Sequence, residues 1–146
     1  MAKITSSIHR DDVFGSQLRY FSSPIYDETN QPDMPWHVFD DLMRILELDQ
    51  EATTYLLRKL RGDWPEPRTV ATSEGLLTIA PHFMAEGLLM AIGRSRKLRP
   101  ENFLKIRGAY RRNLTEALKQ MIPNYDPIGR MLFALSSMSE EGADAS

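Results

Sequence analysis

The chain has 146 residues, 42% hydrophobic and 26% charged, with no cysteine and a formal net charge of −2. That length suits one domain with a single core, and the absence of cysteine excludes thiolate catalysis, zinc–thiolate sites and disulfide frameworks. No apolar run approaches the ~20 residues needed to cross a bilayer, and the opening MAKITSSIHRDD lacks the apolar centre of a secretory signal, so a cytoplasmic chain without a membrane partner is expected.

In chain order, residues 1–12 are polar with no apolar period and are expected to be a flexible end. From Phe14 to Phe21, FGSQLRYF places Leu18 and Tyr20 at alternate positions, the period of a half-buried strand. The following SPIYDETNQPDMP is rich in turn formers and reads as a loop or wide hairpin before a second short strand at Trp36 to Phe39. Asp40 or Asp41 can cap a helix over LMRILEL, because a carboxylate there accepts from the unpaired N–H groups of the first turn. Asp49 can cap the next helix, on which Ala52, Tyr55, Leu56 and Leu60 recur at spacings of three and four.

GDWPEP then breaks the pattern as a turn or wing-like loop, and RTVAT forms a short strand. Ser73 starts an apolar segment, SEGLLTIAPHFMAEGLLMAIG, in which Pro81 predicts two helices meeting near Ala80, and Gly93 supplies a stop. Pro100 opens the longest helix, to about residue 121, with Phe103, Ile106, Tyr110, Leu114, Leu118 and Met121 as its buried stripe. Asp126 and Pro127 open a last short helix, through about Leu135, that covers the core with Ile128, Leu132 and Phe133. Residues 137–146 read as a flexible acidic tail, with no internal repeat anywhere. The sum is a single α+β domain over 13–136, mostly helical, with a small antiparallel sheet near the N-terminal half.

Chemistry-bearing patterns are few. His9, His37 and His82 lie far apart and lack ligand partners at helical or turn spacing, so no metal is expected. No G-x-S-x-G surrounds a serine, and the isolated glycines at 75, 87, 93 and 108 match no phosphate loop. The adjacent Asp40 and Asp41 fit capping better than acid–base work. Neither an enzyme nor a cofactor is therefore expected, although an active site need not leave a local motif.

What remains is charge distribution. Residues 1–57 carry net −6, residues 58–119 net +7 and residues 120–146 net −3. Arg58, Lys59, Arg61, Arg94, Arg96, Lys97, Arg99, Lys105, Arg111 and Arg112 are the candidate phosphate contacts, with Trp64 between prolines as an aromatic neighbour. The bland alternatives are a solvated helix face balanced by the acidic first third, and a tryptophan that pins a loop to the surface.

The stretch from LRY through PWHVFDDLMRILELDQEATTYLLRKLR to TVATSEGLLTI resembles the Bro-N domain of baculoviral Bro proteins and phage antirepressors. Trp36, Val38, Asp41, Leu42 and Leu46 stand at its first motif, and Ser73, Glu74, Gly75 and Leu76 at its second, which in the family begins an apolar helix. The resemblance covers about residues 14–80, and Pro81 departs from the family pattern. It implies a DNA-binding or regulator-interacting domain of phage or prophage type, acting in transcription regulation. The expectation is thus a non-catalytic, antirepressor-like DNA-binding domain. The alternative is a protein-binding inhibitor or adaptor acting on a host or phage factor, and a homo-oligomer is compatible with either.

Overall fold

The computed structural model describes residues 5–60, 67–95 and 98–144. Its elements run β1 (His9–Val13), β2 (Ser16–Phe21), α1 (Pro24–Thr29), β3 (Trp36–Val38), α2 (Phe39–Ile45), α3 (Gln50–Leu60), β4 (Arg68–Thr72), β5 (Gly75–Ala80), α4 (His82–Ser95), α5 (Pro100–Met121) and α6 (Pro127–Asp144). The fold is α+β, and its small sheet is antiparallel with strand order β1-β2-β3-β5-β4.

Alternation within the strands sorts side chains onto two faces. Leu18, Tyr20 and Ala80 join the main core, built with Leu42 of α2 and Leu46 just after it, Leu88, Leu89 and Ile92 of α4, and Ile106, Tyr110 and Leu114 of α5. Phe21, Trp36, Val38 and Ile79 form a smaller cluster, against which Ile25, Val70 and Leu77 pack. The start of α1, which carries Ile25, is held by a buried carboxylate: Asp33 accepts from the hydroxyl of the cap residue Ser23 and, at 2.8 Å, from the Trp36 indole N–H. Burial pushes the Asp33 carboxyl up from its ordinary range, while these two hydrogen bonds pull it down.

The ends differ from expectation. Residues 9–12, assigned to a flexible end because they are polar, pair rung for rung with β2 from His9↔Tyr20 to Val13↔Ser16. Phe14 and Gly15 turn that hairpin with φ of 51° and 79°, the positive pair that a two-residue turn between twisted strands requires. Thr5 bridges Thr72 in parallel, so the chain start lines the outer edge of β4. At the other end α6 continues to Asp144 through the stretch read as a tail. Only Phe133 of its three expected core residues is buried, whereas Ile128 and Leu132 are 65% and 56% exposed.

Four further corrections have local causes. The turn-rich SPIYDETNQPDMP contains α1, because Ser23 caps it through an acceptor for the Tyr26 N–H, Pro24 suits its first turn, and Asn30 closes it in the left-handed region. Neither Asp40 nor Asp41 caps α2; Val38 occupies that position without a side-chain cap. GLLTIA is strand β5 and not the start of a helix, since RTVAT pairs with it along its length, and tertiary pairing outweighs leucine's helix preference. Gly93 does not stop α4, which continues to Ser95.

Candidate nucleic-acid interface

α2 and α3 form a helix pair joined by the four residues Leu46–Asp49, and the hydrogen bonds of that turn explain its shape. The Leu48 N–H donates to Met43 O and the Glu47 N–H to Arg44 O, both at 3.1 Å, while Glu47 takes a φ of 55°. This is the Schellman arrangement, in which a left-handed residue lets the last helical carbonyls be satisfied from beyond the helix. Leu48, the residue after it, packs onto the main core and fixes where the chain leaves. Asp49 then starts α3, its Oδ1 accepting from the Ala52 N–H at 2.7 Å, as the sequence predicts.

A turn this short joins consecutive helices both in αα-hairpins and in helix-turn-helix units. Here α3 turns Glu51, Thr54, Tyr55 and Arg58 outward. With Gln50 these line an open concavity of about 630 Å³. The hairpin β4–β5 follows α3, and β5 pairs back onto β3, the strand that leads into α2, so the helix pair is bracketed by one sheet.

The position of α2 depends on a buried ion pair. Asp41 is fully buried and accepts from the Arg19 Nε at 2.9 Å, Nη2 at 2.8 Å and backbone N–H at 3.1 Å. Arg19 also approaches Glu74 at 3.6 Å, and Arg10 donates to both oxygens of Glu74, which ties the β4–β5 turn to β1 and β2. The hydrogen bond to Asp41 holds the Arg19 guanidinium above its ordinary value, and the one from Arg10 holds the Glu74 carboxyl below its own.

The predicted basic residues divide into three groups. Lys59 (as a side chain), Arg61, Arg96 and Lys97 lie outside the described residues, as does Trp64. Arg58, Arg94, Arg99, Lys105 and Arg112 are exposed and form no ion pair with a described residue. Arg111 is exposed but already taken: its Nε and Nη2 each donate to a carboxylate oxygen of Glu86 at 3.0 Å. Nothing local could reveal that pair, because its partners are 25 residues apart on different helices.

A cleft of about 170 Å³ shows which groups converge. It is lined by Leu46, Leu48, Asp49 and Ala52 from the turn and first part of α3, by Ile92 near the end of α4, and by Leu98 before α5. Ile92 and Leu98, the residues of that cleft nearest in sequence to Arg94 and Arg99, thus meet the start of α3, and Arg58 lies six residues beyond Ala52 along α3, roughly 9 Å at 1.5 Å per residue. Lys105 and Arg112, seven residues apart, share the outward face of α5, roughly 10 Å from one another along its axis. Glu47, Asp49 and Glu51 stand near the first turn of α3, so that end carries both signs.

A second polar centre lies deep in the core. Tyr110 is fully buried; its carbonyl accepts from the Tyr20 hydroxyl at 2.7 Å, and its own hydroxyl stands 2.9 Å from His82 Nδ1. The His37 ring meets Tyr110 edge to face at 5.8 Å, and neither of its nitrogens has a hydrogen-bond partner. Burial lowers the His37 pKa to about 3, with His82 adding to the effect, and burial likewise lowers His82. Both tyrosine hydroxyls are pushed well above their ordinary value by the same desolvation. Burial thus favours the neutral form of each of these groups, and Tyr20, His37 and Tyr110 are fully enclosed while His82 is half-buried.

Among the described residues no cluster of three or more His, Cys, Asp or Glu could hold a metal ion, and no helix is long and apolar enough to cross a membrane. No family model, curated protein or solved structure matches the chain.

Sequence reasoning assigned Arg58 of α3 as a phosphate contact but missed its outward neighbours Gln50, Glu51, Thr54 and Tyr55. The available signal was the short ELDQ gap between two leucine-rich helices, followed by polar Gln50, Thr54 and Arg58 at four-residue spacing.

Proposed function

We propose that this chain is a non-catalytic DNA-binding regulatory domain of phage or mobile-element type, in which α3 reads base edges while Arg58, Arg94, Arg99, Lys105 and Arg112 contact phosphates. The observation that carries the reading is the α2–turn–α3 unit, with Gln50, Thr54, Tyr55 and Arg58 on its open side. Amide, hydroxyl and guanidinium groups are the types that pair with base edges in a major groove, and a glutamate such as Glu51 can accept from cytosine. The resemblance to the Bro-N domain supports the regulatory class through residues 36–46; its second motif, Ser73–Leu76, forms a hairpin here and lends no support.

Five phosphate contacts would release counterions and give log affinity a slope of about −4 to −5 against log salt. Fluorescence anisotropy with a random duplex across a salt series reads that slope. Arg58→Ala or Arg112→Ala is expected to make it shallower by about 1, whereas Arg111→Ala, whose guanidinium is held by Glu86, is expected to leave it unchanged. No binding at low salt would overturn the reading.

A second reading is favoured by the carboxylates Glu47, Asp49 and Glu51 beside α3. A basic surface of a protein factor would find them complementary, where a phosphate backbone would not, and the chain would then act as an inhibitor or adaptor. Under that reading, Glu51→Lys weakens capture of the factor and strengthens binding to duplex.

A further inference from the structure

α6 has two faces with opposite fates. Phe133 and Ser137 point into the domain and are buried, while Ile128, Met131, Leu132 and Leu135 are 65%, 56%, 56% and 52% exposed. At 100° per residue the exposed four lie about 180° from the buried pair, so the domain's own core cannot take them up. Their spacing is specific. Ile128, Leu132 and Leu135 follow each other at four and three residues, the a/d rhythm of a helix–helix seam, with Met131 beside them.

We infer that this stripe is the contact surface for a second copy of the chain, the two α6 helices packing against one another across a twofold axis. Charge argues for an identical partner. The positions flanking the seam are Gly129, Met131 and Ser136, so no like charges oppose one another when two copies meet. The charge nearest the stripe is turned away, since Arg130 donates from Nη1 to the Tyr125 carbonyl at 2.6 Å. A self-complementary apolar surface without charge is what an isologous contact requires.

Area points the same way. The four side chains leave about 450 Å² open per copy, so a pair that covers them buries on the order of 900 Å² from these alone, close to the ~1,000 Å² of a specific interface. The stripe is also larger and more continuous than the other exposed apolar residues, such as Phe14 in the β1–β2 turn and Leu76 on β5.

The inference is independent of nucleic acid and is tested without it. Sedimentation equilibrium of the full chain is expected to give twice the monomer mass. Leu132→Glu is expected to weaken the dimer about 100-fold or more, because a carboxylate would be desolvated in each copy. Leu132 is more than half exposed, so the far-UV spectrum of that variant should match the wild type, while its melting temperature should lose the concentration dependence that dimerisation gives. Leu104→Glu, equally exposed on α5, should leave the dimer intact. A direct probe uses the chain's lack of cysteine: Leu132 lies at the middle of the seam and meets its counterpart whether the helices run parallel or antiparallel. Leu132→Cys should then oxidise to a linked dimer much faster than Leu104→Cys. A wild-type chain that sediments as a monomer at its highest soluble concentration, or a dimer that survives Leu132→Glu, overturns the inference.

Discussion

Two of the buried polar centres, those around Asp41 and His37, solve the same difficulty in opposite ways. Around Asp41 every acceptor position is met: one guanidinium, one backbone N–H and a more distant Arg44 surround a carboxylate with no solvent exposure. Around His37 nothing is met, and the imidazole survives burial by staying neutral against the edge of Tyr110. Full pairing permits charge where water is absent; lack of pairing forbids it. The first centre therefore fixes geometry, locking α2 to β2, while the second makes the core sensitive to acid.

The largest expected effect comes from breaking the paired centre. Asp41→Ala leaves the Arg19 guanidinium without its principal partner, and the loss should be about 3–5 kcal/mol in urea unfolding, with little change in the slope against denaturant. The unpaired centre responds to pH instead. The folded value for His37, about 3, lies below its ordinary 6.5, so the unfolded chain binds the additional proton first. That contribution is complete above about pH 6.5 and declines as pH falls toward 3, at about 1 kcal/mol per pH unit. His37→Leu should remove this part of the acid dependence in unfolding measured between pH 7 and 4. A residual slope should persist from His82, whose value is lowered too, beside Glu86 and Arg111. The smallest effect separates the hydrogen bonds of the second centre from its packing. Tyr20→Phe deletes one donor to the Tyr110 carbonyl and should cost about 1 kcal/mol by thermal unfolding, with the acid dependence intact.

Local signals carried much of the fold. The alternation in β2, the Asp49 cap and the α5 stripe are all visible to the eye, because each depends on residues within one turn or one rung. Misreadings arose where a distant partner decides. GLLTIA is a strand since RTVAT lies beside it, and Asp41 is an ion-pair acceptor since Arg19 comes from 22 residues earlier. The same limit applies to the candidate interface. Basic composition marked a stretch of chain, yet the Arg111–Glu86 pair and the outward side of α3 emerge only when helices are packed. Ile128 and Leu132 have the periodicity of core residues, and periodicity alone does not say whether the matching surface belongs to the same molecule.

Gly93 lies within α4, where a glycine costs about 1 kcal/mol relative to alanine. The ring of Phe103 occupies the space a side chain would need, its Cζ only 2.9 Å from where a Cβ would stand. A missing methyl group is thus the gauge that sets how closely the beginning of α5 can approach α4. A larger residue there would first have to push the tip of the Phe103 ring aside, so the two positions are coupled and a smaller side chain at 103 should make a larger one at 93 easier to accept.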